Sequence, residues 1–102
     1  MKDILREVRT RFEWTYGRRL VRIVLYGSQA RGDAEAGSDI DLLVVLEGPV
    51  SPCGEIDRTI DDVSDISLRY DQVVCCVFVS AEEYERGYSP LMVNVRREGV
   101  PV

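Results

Sequence analysis

The sequence predicts an α/β fold, a small mixed or antiparallel sheet with helices packed on one face. Three observations lead there. Nearly unbroken aliphatic runs at residues 21–26, 42–46 and 73–79 have the length and β-branched content of buried strands. Apolar residues recur at three- and four-residue spacing before the first run and between the second and third, the period of helices with one buried face. The chain of 102 residues suffices for one domain, residues 1–102, with a single modest core.

Taken in order, residues 3–16 read as a helix whose inner side is Ile4, Leu5, Val8, Phe12 and Tyr16, stopped by Gly17. Strand one covers residues 21–26. Gly27-Ser28 turns the chain, residues 29–31 can start a short helix, and residues 32–37 make a small acidic loop. Strand two runs from about Asp39 to Leu46 and ends at Gly48-Pro49. Ser51-Pro52 offers an N-cap and a first-turn proline for a second long helix, with Ile56, Ile60, Val63 and Ser67 as its stripe. Strand three spans residues 72–79, headed by Asp71. Ser80-Ala81-Glu82-Glu83 is a capping box for a short helix, and Ser89-Pro90 starts a last one that stops at Gly99.

The composition, 45% hydrophobic and 30% charged, is that of an ordinary globular chain. No apolar run approaches a membrane span and the N-terminus lacks a signal-peptide core, so the expectation is a cytoplasmic protein with no membrane partner. Cys53, Cys75 and Cys76 read as buried thiols in a reducing compartment. With no His and no Cys-x-x-Cys, a zinc site is not expected.

The net charge of −5 conceals an asymmetry: residues 1–22 are basic by four charges and residues 33–71 acidic by nine. An acidic whole argues against duplex nucleic acid as partner. The basic start reads as a solvated helix face, or as a surface for a nucleotide, a nucleic acid or an acidic partner.

The chemistry concentrates in residues 27–41. Gly27-Ser28 follows a strand, where a tight turn presents backbone N–H groups and a hydroxyl to a phosphate. About ten residues later come Ser38-Asp39-Ile40-Asp41. The period of two along a strand puts Asp39 and Asp41 on one face. Paired carboxylates repel, and a shared cation is the reason to keep them together. Hard oxygen donors beside a phosphate-cradling turn suggest Mg²⁺ held jointly by protein and nucleotide.

This stretch resembles the signature of the DNA polymerase beta-like nucleotidyltransferase superfamily, Gly-Ser, a spacer and Asp-x-Asp. Gly27-Ser28, Ala30-Arg31-Gly32 and Ser38-Asp39-Ile40-Asp41-Leu42 match its minimal members. The resemblance implies a nucleotidyltransferase core and transfer of AMP from ATP with Mg²⁺, two ions in the usual case. Asp39 and Asp41 would ligate the metal, and Gly27, Ser28 and Ser38 would lie against the nucleotide. Arg31 would either reach the triphosphate or pair with an acid such as Asp33. A third carboxylate on a neighbouring strand is usual in the family; Asp71 has the right parity, but in many relatives the acid lies nearer the middle of the strand, where this chain has Val73 or Cys75, and an Asp that simply caps the strand fits its position as well. The resemblance to free-standing members implies a protein partner, a HEPN-domain toxin that the chain, as antitoxin, adenylylates. A catalytically weak nucleotide-binding antitoxin acting by contact, and an aminoglycoside-type transferase, are the alternatives.

Overall fold

A computed structural model describes all 102 residues. The elements run α1 (Lys2–Tyr16), a 3₁₀ turn (Gly17–Arg19), β1 (Leu20–Tyr26), α2 (Ser28–Arg31), β2 (Ile40–Leu46), α3 (Pro52–Tyr70), β3 (Val74–Ser80), α4 (Ala81–Arg86), α5 (Pro90–Glu98) and β4 (Val100–Pro101). The sheet order is β3-β2-β1-β4. β1 pairs antiparallel with β2 and β4, and β2 pairs parallel with β3, so the sheet is mixed. The parallel pair needs a crossover, which α3 supplies.

Alternation along β2 divides the core. Ile40, Leu42, Val44 and Leu46 face α1 and α3, meeting Val8, Phe12, Ile66 and Phe78. Leu43 and Val45 point the other way, against Met92, Val95 and Val79. The two long helices therefore share one face, as expected, and the short C-terminal helices cover part of the opposite face. All but the first side chain of Asp41–Leu46 is buried, which explains an aliphatic run without polar alternation.

The inner side of α3 differs from the predicted stripe. Glu55, Thr59 and Ile66 are buried, while Ile56 and Ile60 are exposed at 44% and 47%. The polar residues turn inward because the fold satisfies them: the Tyr16 hydroxyl donates to Glu55 Oε1 at 2.9 Å, and Thr59 Oγ1 donates to the Glu55 carbonyl. The charge asymmetry also resolves here. Arg11 of α1 pairs with Asp62 of α3 and with Glu7, and Arg69 of α3 reaches back to Glu7. Part of the basic start is thus matched internally, across a helix–helix seam.

β4 was not expected, since two residues with a proline carry no strand pattern; Val100 and Pro101 pair with Leu25 and Val24. The capping box is present, with Ser80 Oγ accepting from the Glu83 N–H at 3.1 Å. All three cysteines are free thiols, as expected; Cys53 is exposed and Cys75 half-buried, contrary to the buried placement expected for them, whereas Cys76 packs against the larger core. No helix is long and apolar enough to cross a membrane.

Candidate active site

The site is a row of side chains across three strands. Register places Tyr26 of β1 opposite Asp41 of β2, and Asp41 beside Cys75 of β3. Asp39 stands one residue before β2. Its Oδ2 accepts from Cys75 Sγ at 3.7 Å, bringing both carboxylates and the thiol to one patch. The row lies on the same sheet face as Leu43 and Val45 but beyond the cover of α5, so Asp39 is exposed and Asp41 half-buried.

Burial raises the Asp41 pKa above the ordinary 3.8, and the neighbouring Asp39 charge adds to it. Burial, and then the Asp39 and Asp41 charges, push the Cys75 thiol up. Tyr26 is likewise raised by burial and by Asp41. The patch concentrates negative charge with no cation of the protein to balance it, the condition for taking up a metal ion. Two carboxylates on adjacent alternate residues fit a hard divalent cation such as Mg²⁺.

Gly27 is required by contact as well as by conformation. Its φ is +76°, and a Cβ there would lie 2.7 Å from Asp41 Oδ2. The turn thus lies directly on the carboxylate, as joint binding of phosphate and metal demands. Ser28 opens α2, whose first bonds run from Ala30 and Arg31 N–H to the Gly27 carbonyl. The Ser28 and Gln29 N–H groups ahead of them have no intrahelical acceptor, the position from which helix-opening amides meet an anion.

The remaining predicted residues have other partners. Arg31 donates through Nε to Asp33 Oδ2 at 3.1 Å and through Nη1 to both oxygens of Glu98 at 3.2 Å; of its two expected roles, the structure displays the ion pair. Ser38 Oγ accepts from the Glu35 N–H at 3.0 Å, and the Ser38 carbonyl accepts from the side-chain amides of Gln29 and Gln72. Ser38 thus fixes the backbone that carries Asp39.

Asp71 requires a correction. It does not head β3, which starts at Val74; it is the C-cap of α3, in the left-handed region at φ 51°. The strand-parity argument for Asp71 therefore fails, because residues 71–73 are not strand. The position beside Asp41 belongs to Cys75. No third carboxylate joins the pair, and no three His, Cys, Asp or Glu side chains already converge as a metal cage.

Three further residues escaped the sequence reading. Glu98, at the end of α5, accepts from the Gly27 N–H at 3.2 Å as well as from Arg31. The Gly27 amide is thus already committed, leaving the following amides to a phosphate. Nothing local marks a glutamate 71 positions away as part of the turn. Gln29 and Gln72 are amide donors to one carbonyl, a role many surface Gln residues mimic in sequence.

The comparisons agree with this geometry. Residues 1–94 match the family model described as "Nucleotidyltransferase domain". Two Methanocaldococcus jannaschii proteins are similar: "Putative protein adenylyltransferase MJ0604", 37% identical over 71 residues, and "Putative protein adenylyltransferase MJ0141", 31% identical over 72. These matches cover 70% and 71% of this chain, and 65% and 72% of the relatives' own lengths. The fold is shared with a toxin–antitoxin solved with AMP-PNP (TM-score 0.64, 18% identity, 91% of this chain and 68% of that one). It is also shared with a mutant of the toxin–antitoxin MntA-HpeT (TM-score 0.62, 15% identity, 92% and 68%). The chain belongs to the nucleotidyltransferase domain family.

Proposed function

We propose that the chain transfers AMP from ATP to a hydroxyl of a protein partner with the help of Mg²⁺, and that the partner is a HEPN-domain toxin which it neutralises as antitoxin. The observation that carries the reading is the Asp41 carboxylate lying against the Gly27 turn, with Asp39 beside it. The names of the two curated relatives support a protein acceptor, and the toxin–antitoxin fold neighbours support the setting.

In this reading the acceptor oxygen bonds to the α-phosphorus as the bond to pyrophosphate breaks, pyrophosphate leaves with its charge, and the hydroxyl proton passes to solvent. Bound Mg²⁺ would neutralise the triphosphate and the incoming oxygen. Asp39 and Asp41 would hold it, while Ser28 and the amides that open α2 hold the phosphate tail. Arg31 and Glu98 keep the turn in place, and Ser38 keeps Asp39 in place. Positioning and charge do nearly all the catalytic work in such a displacement.

The test is intact mass of the partner after incubation with ATP and Mg²⁺. Mass should rise in steps of one AMP, and Asp39→Asn or Asp41→Asn should reduce the rate by at least about 100-fold. Ser28→Ala should raise KM for ATP more than it lowers kcat. Asp71→Asn should keep activity within about twofold, since the residue caps α3 and is not part of β3. Neutralisation of the toxin without added mass would favour the second reading, a contact antitoxin, which the missing third carboxylate also suits.

A further inference from the structure

We propose that the chain pairs with a second copy of itself about a two-fold axis, through the free edge of β3 and the flank of α3 above it. Two observations meet there. β3 is an outer strand of the sheet, seven residues without charge or proline, partly exposed at Cys75, Cys76 and Val77. An edge left unblunted in this way is a template for another strand. Beside it, Ile56, Ile60, Val63 and Ser67 have the spacing of a core stripe, yet Ile56 and Ile60 stand exposed.

The contacts of α3 locate the stripe. Asp62 and Asp65 pair with Arg11, so they mark the flank that meets α1. The helical period puts the stripe on the opposite flank. The Ile40 N–H donates to the Val73 carbonyl, so the odd-numbered residues of β3 turn their peptide groups to β2 and the even-numbered ones turn outward. One of those outward groups, the Val74 N–H, donates to Ser67 Oγ at 3.3 Å. The stripe therefore runs along the open edge.

The same bond fixes the level of one element on the other. As a crossover between parallel strands, α3 runs opposite to β3. Going back from Ser67 to Ile60 along α3, and forward from Val74 to Val77 along β3, each covers about 10 Å. Ile60 thus stands level with Val77, the middle residue of β3. A two-fold axis through that level, normal to the sheet, sets Cys76 opposite the second copy's Phe78, where outward N–H and C=O groups exchange hydrogen bonds. It also sets Ile60 against its own counterpart and Ile56 against the second copy's Val63. One rotation satisfies the edge and buries the stripe, which is the condition for a closed dimer. Strand and flank supply about a dozen side chains per copy, fewer than the roughly 20–30 of a standard interface, so the dimer is weak and concentration-dependent.

Sedimentation of the chain is the test. Weight-average mass should climb from one chain toward two between about 1 µM and about 1 mM. Salt should strengthen the dimer, because Asp57 and Asp61 border the stripe and each copy carries a net charge of −5. Ile60→Asp should stay monomeric throughout and, at a concentration where both are monomers, melt within about 2 °C of the wild type. Trp14→Ser, which changes an exposed side chain of α1, should dimerise normally. In a Cys53→Ser background, Ile60→Cys should give a disulfide-linked dimer under mild oxidation. Ile56→Cys should not, since its counterpart lies about 12 Å away along the helices. A monomer at every concentration, a dimer that survives Ile60→Asp, or equal cross-linking through Ile56→Cys overturns the proposal. Dissociation by salt overturns it too, because that would place the contact on paired opposite charges instead of the stripe.

Discussion

At the scale of single residues, Asp41 is costly to the fold that holds it. Its carboxyl binds a proton more tightly folded than unfolded, because burial and Asp39 both disfavour the charge. Its contribution to cation-free stability is therefore fully present below the ordinary 3.8 and is lost as pH rises through the elevated value. In chelator at neutral pH, Asp41→Asn should raise Tm by about 2–5 °C and flatten that part of the pH profile. Adding a divalent cation should raise Tm of the wild type only. Gly27→Ala works in the opposite direction. It forces a side chain into φ +76° and against Asp41 Oδ2, so it should cost about 1–3 kcal/mol in denaturant melts. Displacing Asp41 should also cut transfer by about 100-fold. Both positions were legible in sequence, because Gly-Ser and Asp-x-Asp carry their chemistry in residue type and spacing. Cys75 was legible only as one of two positions, with Val73, where a third ligand usually falls, and strand register picks it out; Glu98 was not legible, because its meaning comes from a contact across most of the chain.

At the scale of elements, α3 shows where local pattern fails. Ile56 and Ile60 have the right spacing for a core stripe, yet Glu55 and Thr59 occupy the inner side. Hydrophobic periodicity assumes that burying a carboxylate is prohibitive, but Glu55 has the Tyr16 hydroxyl at 2.9 Å and Arg58 Nε at 3.2 Å. Tyr16→Phe removes one of these partners and should destabilise the fold by about 1–3 kcal/mol. Ile56→Ser and Ile60→Ser should each cost less than about 1 kcal/mol, which chemical denaturation of the three variants would measure. The start of β3 failed for a related reason. Residues 71–73 look like strand in sequence, whereas the helix ends by a left-handed cap at Asp71 and the strand waits until Val74. Strand β2 was read correctly to within a residue because its aliphatic run has no competing interpretation.

At the scale of the whole molecule, the sheet separates stability from function. The face under α1 and α3 holds the larger core, including Phe12, which is fully buried between Tyr16 and Phe78. Phe12→Ala should cost about 3–5 kcal/mol by denaturant midpoint without touching the strand row. The opposite face carries the smaller cluster under α5, and the candidate site residues lie on that face with Asp39 exposed and Asp41 half-buried. The mixed topology explains how this arises: an antiparallel β1–β2 pair brings Tyr26 and Gly27 to Asp41, and a parallel β3 brings Cys75 to its other side. The sequence foretold the sheet's central strands and one helical layer. It did not foretell β4, because two residues that owe their pairing to β1 have no pattern of their own.

The bond from the Gly27 amide to Glu98 has a consequence for motion. Gly27 precedes the reactive turn, but its proton is guarded by the last residue of α5, which leads directly into β4. The Val102 N–H, bonded to the Ile23 carbonyl at 3.0 Å, belongs to the same C-terminal segment. Hydrogen exchange should accordingly find Gly27 and Val102 opening together, as one unit. Glu98→Gln should accelerate exchange at Gly27 more than at Leu43, deep in the central strand. The turn between β1 and α2 would then owe its rigidity to the segment that follows α5.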